Sequence, residues 1–388
     1  MTGTWMQTVV QSWLIYRISQ SSAWLGVITF CSQVPAFLMS PIAGVIADHR
    51  DRKKILIRVS MIGMAEATLL GILIFTNQIQ LWHIATLAVV LGLVNAFEII
   101  TRHAFVIDLT AKEDLSSAVA MNAITFNIAR IIGPTLAGFL IGRIGEAGCF
   151  FLNAVSFIAV IYSLVQVHPH QDSQVTKSPV DPHEKLSIPR QLLDTWRYIR
   201  QRPRIYGLLI LSVFISFVGF PYAILMPALV KHNLQGNADV LGWLTGLCGA
   251  GAILGAIWTA TRTDRKPIEY QLKSGFLWLG FSLIFLGLST TLWKSLIACF
   301  WLGFFMMGTY PGITTTYQRL VDREMRGRVV SLFTMSFLGS MPLGSLVAGW
   351  IADRVGIAGT FVGQGSIFLG AALVLVCFYS LKQIDLAQ

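Results

Sequence analysis

Few charged side chains interrupt the long apolar stretches of this sequence, and those few carry the chemistry that it could perform. Glu98 and Arg102 are four residues apart, the spacing and order that let an acid and a base pair on one helix face. Glu66 lies in an apolar run without an obvious local partner. An ionised side chain near the middle of a bilayer costs roughly 2.5–3.5 kcal/mol, so such residues should face protein or water. These three residues are therefore the candidates for proton binding.

Two interpretations stay open for each charged residue. Glu98 is either a proton-coupled carboxylate, with Arg102 as its counter-ion, or one half of a permanent ion pair. Glu66 is either a proton carrier, because burial favours the neutral form of a carboxyl group, or a hydrogen-bonded packing residue. Arg130 serves either helix contacts or the substrate.

The elements that must position these residues are predicted to be membrane-spanning helices. Of the 388 residues, 54% are hydrophobic and 12% are charged, whereas soluble domains carry about 25% charged residues. Spanning the hydrocarbon layer takes roughly 20 apolar residues per helix. Twelve candidate segments occur, near 2–17, 23–47, 54–76, 80–107, 117–142, 148–167, 204–230, 239–261, 272–290, 293–319, 328–352 and 358–381.

Lysine and arginine are distributed unevenly between the two sides of these helices. With the polar 168–203 stretch placed in the cytoplasm, basic residues concentrate in the cytoplasmic loops. This positive-inside bias accounts for the net charge of +10 without a nucleic-acid partner, and it places both termini in the cytoplasm of a bacterial inner membrane protein. The basic residues left outside are Arg17, Arg143, Lys231, Lys294 and Arg354.

The chain contains an internal repeat. Residues 133–150 and 344–361 are identical at eight of eighteen positions, at a constant offset of 211. Self-similarity at a fixed offset indicates duplicated structure. We therefore expect an all-α polytopic membrane protein with twelve transmembrane helices in two pseudo-symmetric six-helix halves. The halves and the cytoplasmic linker between them are 1–167, 204–388 and 168–203.

The linker is predicted to end in a basic amphipathic helix over 190–202. Leu192, Leu193, Trp196 and Ile199 recur at helical spacing, with arginines between them. A helix of this kind is expected to lie on the anionic inner leaflet of the membrane.

Cofactor chemistry has no support in the sequence. The five cysteines lie in apolar segments without the spacing of metal ligands, and His168 and His170 have no further ligands nearby. No GxxxxGK[ST] phosphate-binding element is present. We expect neither a metal ion nor another cofactor.

The most specific segment of the chain joins the second and third predicted helices. It contains Gly44, then Asp48 four residues later, then a basic cluster with Arg52 and Lys53. Gly44 would allow close helix approach, and Asp48 would accept hydrogen bonds from the N-terminus of a neighbouring helix. The pattern resembles the signature loop of the major facilitator superfamily, and the resemblance implies a gating role for these residues.

The second half of the chain carries a weaker copy of this loop. At the offset of 211, Gly255 corresponds to the first glycine, but Thr259 stands in place of the aspartate. We expect a weaker gating role for this copy.

A second motif lies on the fifth predicted helix, where Arg130 is followed by Gly133, Pro134 and Gly138. The Gly-Pro pair bends the helix and removes one backbone donor. The run resembles the antiporter motif of the same superfamily, which is associated with exporters.

Three further segments, 5–16, 96–102 and 322–332, are similar to one drug- and siderophore-exporter branch, which includes the enterobactin exporter and macrolide efflux proteins. The resemblance covers nearly the whole chain. It implies twelve helices, a central cavity and drug/proton antiport.

In this fold, helices 1, 4, 7 and 10 line the central pathway. Pro221, Pro227 and Pro311 are predicted to interrupt helices 7 and 10, which exposes backbone carbonyls to a cavity. Aromatic and methionine side chains nearby would favour an amphipathic or aromatic substrate. The predicted polar and aromatic cavity residues are Gln7, Gln11, Asn95, Tyr222, Tyr310, Thr314 and Tyr317.

These features predict a secondary active transporter, a proton-coupled exporter of an amphipathic siderophore or drug. The alternative is an importer of a siderophore or similar small molecule on the same fold. The sparse intramembrane charges form no nucleophile–base set, so an enzyme is not expected. The predicted partners are a small-molecule substrate, protons and the lipid bilayer, with the protein acting as a monomer.

The first predicted helix is short. About 16 apolar-leaning residues rise only ~24 Å, against a hydrocarbon layer of ~30 Å. We expect the first half to have a truncated helix 1 if Met1 is not the natural start.

Overall fold

The computed structural model describes residues 1–110, 114–167, 188–262 and 268–385, and within them every regular element is helical. One short segment, Ile215–Gly219, is a π-helix between α7 and α8. The α-helices are α1 (Thr2–Ser19), α2 (Ser22–His49), α3 (Arg52–Phe75), α4 (Leu81–Asp108), α5 (Leu115–Gln166), α6 (Ile188–Arg200), α7 (Pro203–Phe214), α8 (Tyr222–His232), α9 (Ala238–Arg262), α10 (Ile268–Leu288), α11 (Leu292–Leu320) and α12 (Arg326–Asp385).

Nine helical stretches in the described part of the chain are long and apolar enough to cross a membrane. Their backbone donors and acceptors are paired within each helix, which is what a segment without access to water requires. Helix α1 is not among the nine. The spans are Ser22–His49, Arg52–Phe75, Leu81–Asp108, Ile128–Gln166, Pro203–His232, Ala238–Thr259, Gln271–Leu288, Leu292–Leu320 and Arg326–Val376.

Two of the helices contain an internal break at a glycine. In α5, Gly145 has φ 72° and ψ 174°, and in α12, Gly356 has φ 84° and ψ 163°. Residues with a side chain rarely adopt these angles, so glycine is required at both points. The two glycines are 211 residues apart, so the repeat in the sequence corresponds to a repeated backbone feature.

The chain clusters into two compact units. Unit 1 comprises Met1–Gln20 and Val27–Arg190, and unit 2 comprises Ser21–Gly26 and Gln191–Gln388. In unit 1, α5 packs on α1 and on α3, and α3 packs on α4. In unit 2, α11 packs on α9 and α10, while α12 packs on α10 and on the π-helix.

The first turn of α2 belongs to unit 2, where an acidic side chain of α12 caps it. Asp353 accepts hydrogen bonds from the backbone N–H of Ser22 at 2.6 Å and of Ala23 at 3.2 Å, and from the hydroxyl of Ser21 at 2.5 Å. These backbone donors have no partner within their own helix, so the carboxylate satisfies groups that would otherwise be orphaned.

The three prolines expected to interrupt helices behave differently. Pro221 follows the π-helix and stands immediately before α8, so the prediction of an interruption there agrees with the structure. Pro227 lies inside α8 and Pro311 inside α11, and both helices continue through them. Neighbouring helices in a packed bundle compensate for the lost backbone hydrogen bond, which explains the continuity.

Candidate functional site

A buried polar network crosses three helices of unit 1. The amide nitrogen of Gln7 on α1 donates to Glu66 Oε2 on α3 at 2.8 Å. The amide nitrogen of Asn153, in the second part of α5, donates to Gln7 Oε1 at 2.5 Å. The three side chains are 1–3% exposed. The network thus fixes the direction of each amide and joins a carboxyl group to two neutral partners.

One oxygen of the Glu66 carboxyl group takes no part in this network. Glu66 Oε1 is buried and has no hydrogen-bond partner among the described groups, and no described cation forms an ion pair with Glu66. Burying an ionised carboxylate without a countercharge costs several kcal/mol, whereas the protonated acid is far less costly and gains a donor. The site therefore suits a carboxyl group that binds and releases a proton.

Gln7 was expected to line a substrate cavity, and the structure shows its side chain buried in the network of unit 1. Its side chain is 1% exposed, and both polar atoms of its amide are used by Glu66 and Asn153. A side chain held in this way presents no free polar atom to a ligand. Gln11, one turn further along α1, is also buried, at 7% exposure.

The predicted pair on α4 is formed. Arg102 Nη1 donates to Glu98 Oε1 at 2.5 Å, and the two side chains are 18% and 30% exposed. Arg102 Nε is buried without a hydrogen-bond partner among the described atoms. Glu98 therefore has a countercharge and partial access to its surroundings, in contrast to Glu66.

The basic cluster after α2 ties the start of α3 to the end of α4. Arg52 forms an ion pair with Asp108 at 2.7 Å and a longer one with Asp48 at 3.3 Å. Its guanidinium group also donates to the backbone carbonyl oxygens of Ala47 and Ala104. Asp48, whose side chain is 69% exposed, makes the weaker of these pairs.

Lys53 makes a separate connection to the end of α5. Its Nζ donates to the carbonyl oxygens of Val165 at 2.9 Å and Val167 at 2.8 Å. The last carbonyl groups of a helix have no partner within it and carry partial negative charge, so a lysine satisfies both demands. Arg52 and Lys53, the first two residues of α3, thus fasten the ends of α4 and α5 to the start of α3.

The first glycine of the signature loop packs differently in the two copies of that loop. At Gly44 an added Cβ would meet no described atom within 4 Å, so no close approach is seen there. At its counterpart Gly255, an added Cβ would overlap the backbone of Phe304 on α11. The copy that lost the acidic residue is therefore the one whose glycine brings two helix backbones together.

The antiporter-like run forms a second close contact between α5 and α1, besides the Asn153–Gln7 hydrogen bond. An added Cβ at Gly133 would lie 2.6 Å from the Cβ of Trp5 and 2.8 Å from the carbonyl oxygen of Thr2. The Arg130 guanidinium carbon lies 5.8 Å from the centre of the Trp5 ring, within the range of a cation–π contact. Pro134 lies inside α5, and Gly138 is buried.

An aromatic cluster lies beside the π-helix in unit 2. The rings of Tyr310 on α11 and Phe337 on α12 are 4.4 Å apart, and Phe220 packs edge-on against Phe337 at 5.1 Å. The hydroxyl group of Ser216, in the π-helix, donates to the carbonyl oxygen of Phe337 at 2.6 Å. Single-turn π segments are frequent at functional sites, and this one adjoins a predicted cavity residue.

The remaining predicted cavity residues have different surroundings within their own units. Tyr222 contacts Cys248 Sγ at 3.2 Å through its hydroxyl group. Thr314 donates to the carbonyl oxygen of Pro311, and Asn95 is half-buried on α4. Tyr317 is 3% exposed and stacks on Phe333 with ring centres 3.8 Å apart, so it is part of the core.

A groove of about 320 Å³ opens between α10 and α11, and none of the predicted cavity residues lines it. Its walls are aromatic and aliphatic, with the hydroxyl group of Ser282 donating to a backbone carbonyl of its own helix. The lining residues are Trp278, Phe281, Ser282, Phe285, Ile297, Ala298, Trp301 and Phe305.

Sequence reasoning missed three residues of these sites. Asn153 offered a signal, because it is a lone amide in an apolar run. Asp108 offered one too, as an acid at the predicted end of a helix. Phe337 offered none, since a phenylalanine in an apolar helix looks the same whether it faces lipid, core or ligand.

Histidine, cysteine and acidic side chains are scattered in the part of the chain that the structure describes. No group of three or more His, Cys, Asp and Glu side chains there could hold a metal ion. Cys31, Cys149, Cys248 and Cys299 form no disulfide bond with a described residue. His168 and His170 lie outside the described residues.

Comparison with solved structures defines the class of fold. A bacterial homologue of the human lysosomal transporter Spinster, in an inward-facing and occupied conformation, has a TM-score of 0.72 to this chain. The match covers 98% of this chain and 94% of that one at 14% identity, which shows the fold alone. The fold is that of a major facilitator transporter.

Sequence comparison then gives the family. The family model described as "Transmembrane secretion effector" matches residues 1–388, and the chain belongs to that family of the major facilitator superfamily. The staphyloferrin A transporter of Staphylococcus aureus is 26% identical over 386 residues, which cover 98% of this chain and 93% of that protein. Macrolide efflux protein A of Streptococcus pyogenes is 21% identical over 389 residues, covering 97% and 93% respectively.

These comparisons confirm the predicted resemblance to drug and siderophore exporters. They establish a transporter of small molecules, embedded in a bacterial membrane, rather than an enzyme.

Proposed function

We propose that this protein is a secondary exporter that moves an amphipathic organic molecule, of siderophore or drug type, out of the cell in exchange for protons. Two features support export. The relatives carry the names of a siderophore transporter and a macrolide efflux protein, and the Gly133–Pro134 run lies on α5 as in the antiporter motif. An importer of a siderophore on the same fold is the second candidate.

The observation that carries proton coupling is the buried carboxyl group of Glu66. It lies on α3 in a network with side chains of α1 and α5, one of its oxygens accepts from Gln7, and the other has no described hydrogen-bond partner. Loss of the proton would leave an uncompensated charge in this site. The charged state would then favour a conformation in which water or a cation reaches the carboxylate. Proton occupancy of Glu66 would in this way bias the access state of the transporter.

Glu98 and Arg102 form the alternative coupling site. Their ion pair is only partly buried, so a proton can reach Glu98 without a change in the packing of unit 1. In this alternative, the Glu98 carboxyl group either binds a proton or forms the ion pair with Arg102, and the change between these two states is coupled to transport. The two carboxyl groups give different expectations for the same substitution.

The experiment uses proteoliposomes with a pH-sensitive dye inside. We would record proton flux on addition of erythromycin or staphyloferrin A, using the wild-type protein and the variants E66Q and E98Q. We expect E66Q to lower substrate-dependent proton flux at least about tenfold, because glutamine keeps the shape of the side chain but cannot release a proton. E324Q, which removes an exposed carboxylate, is the matched control and should retain the flux.

Three outcomes separate the candidates. Unchanged flux in E66Q together with loss in E98Q would assign coupling to the α4 pair. Wild-type flux in both variants would contradict coupling at either site. Substrate accumulation in right-side-out vesicles, instead of depletion, would establish import.

We further propose twelve membrane crossings in two halves that alternate access to the substrate, with 1–167 and 204–388 as the halves. The long spans Ile128–Gln166 and Arg326–Val376 each contain a glycine break and are long enough to cross twice. Helix α1 would supply the remaining crossing. The positive-inside bias favours a bacterial inner membrane location with cytoplasmic termini, and we propose a monomer whose substrate contacts include Tyr310 and the aromatic cluster around it.

A further inference from the structure

Helix α6 lies next to a membrane span. Only two residues, Gln201 and Arg202, separate its last residue from Pro203, where the span Pro203–His232 begins. The end of a helix that stops two residues before a crossing lies close to the level of the membrane surface. The Trp196 ring also packs edge-on against Tyr206 in the first turns of α7, with centres 5.9 Å apart. Tryptophan and tyrosine are enriched at this level of a bilayer.

The two sides of α6 differ in burial. Thr195 and Ile199 are 0–1% exposed, so this side is packed into unit 2. The opposite side carries two bulky apolar residues, Leu193 and Trp196, at 47% and 39% exposure. It also carries two exposed arginines. These four residues recur at helical spacing and share one face, called here the outer face of α6: Leu193, Trp196, Arg197 and Arg200.

The arginines of this face are available to an anionic partner. Arg197 has one distant contact, to Asp194 at 3.9 Å, and both side chains are more than half exposed. Exposed pairs of this kind contribute little. Arg200 makes no ion pair with a described side chain. Guanidinium groups bind phosphate groups through two parallel hydrogen bonds, and they stay charged at every physiological pH.

We propose that the outer face of α6 is a binding surface for anionic phospholipids. Leu193 and Trp196 enter the boundary between headgroups and acyl chains, while Arg197 and Arg200 bind lipid phosphates. Apolar and cationic residues on one face of an interfacial helix are the combination that anionic bilayers bind. Because α6 lies beside a membrane span, its outer face is close to lipid headgroups, which favours lipid over a soluble partner.

The same helix is fastened to the loop between α11 and α12. The Tyr198 hydroxyl group donates to Asp322 Oδ2 at 2.9 Å and lies 3.1 Å from the Asp322 backbone nitrogen, from which it accepts. Arg202 forms an ion pair with the same carboxylate at 2.8 Å, and its guanidinium group stacks on the Tyr198 ring. Lipid bound to the outer face therefore orders a segment that holds the start of α12.

The test is a lipid titration of the purified full-length protein in neutral detergent, with thermal unfolding as the measurement. Dioleoyl-phosphatidylglycerol should raise Tm more than dioleoyl-phosphatidylcholine does, because a ligand of the native state stabilises it. In R197Q/R200Q we expect an apparent affinity for the anionic lipid about 25-fold lower, at about fivefold for each arginine. R197K/R200K keeps the charge and should retain most of the effect.

The control variant K294Q/R354Q removes two exposed charges elsewhere in unit 2 and should bind the lipid as the wild-type protein does. An equal loss in this control would show general attraction to a basic protein and would overturn the proposal. Equal Tm shifts with the two lipids would also overturn it. A shift reproduced by inorganic phosphate alone would assign the arginines to a soluble anion and not to the bilayer.

Discussion

Glu66 and Glu98 have the same chemistry, and their surroundings separate them. Glu98 has Arg102 at 2.5 Å, so its charge is compensated within its own helix. Glu66 has two neutral amides in line and one oxygen without a described partner. A neutral amide cannot offset a full charge in a medium of low dielectric constant. Changes of protonation state are therefore expected to have larger structural consequences at Glu66.

Gly133 gives a prediction at the scale of one residue. In G133A the new methyl group would overlap the α1 backbone and the Trp5 side chain, and overpacking of this kind typically costs 1–3 kcal/mol. We expect a lower thermal midpoint in detergent. G370A is the control, because an added Cβ there meets no described atom within 4 Å. It should be neutral or slightly stabilising, since alanine favours helix over glycine. Equal stability of the two variants would contradict the close packing of α5 on α1.

At the scale of elements, the first residues of α3 connect this helix to the ends of α4 and α5. The sequence predicted a gating role for Asp48, Arg52 and Lys53 as a group. Within this group the structure shows Arg52 and Lys53 making the shorter contacts, to Asp108 and to the end of α5. The motif indicated which charged residues of this segment are important. Their partners come from distant parts of the chain, and no local pattern reveals them.

Replacement of Lys53 tests the connection between the loop and α5. In K53M the last carbonyls of α5 lose a charged donor, and hydrogen bonds to charged groups contribute about 1.5–3 kcal/mol. Amide hydrogen exchange near residue 165 should accelerate roughly tenfold or more. In K54M the lost contact is a 3.5 Å pair with Asp51 between exposed side chains, so the same amides should keep their wild-type exchange. Acceleration in both variants would point to loop charge and not to the specific contact.

At the scale of the whole molecule, the charge bias predicts which loops face the outside. We expect Gln78→Cys and Lys294→Cys, in a background without the native cysteines, to react with a membrane-impermeant maleimide added to intact cells. Lys54→Cys and Arg323→Cys should react only after the membrane is permeabilised. All four positions are exposed, so burial does not explain a difference. Labelling of Lys54→Cys in intact cells would contradict the proposed orientation.

The sequence by itself determined the class of the protein. Three features can be recognised from the sequence alone: apolar stretches of the required length, basic loops and a constant offset of 211 residues. The first two are recognisable because the bilayer imposes the same length and charge rules on every crossing helix. Helix positions followed to within a few residues, as for α3 and α11. The motifs then gave the family resemblance that the comparisons confirmed.

Only the tertiary structure decided which polar residues meet. Gln7, Glu66 and Asn153 are separated by 59 and 87 positions in the sequence, and their network exists because α1, α3 and α5 pack together. The same packing buries Gln7 and leaves one oxygen of Glu66 without a described partner. Side-chain periodicity shows which face of a helix is apolar, but it does not show which neighbour covers that face. For this chain the neighbours decide which buried polar atoms are paired and which are left without a described partner.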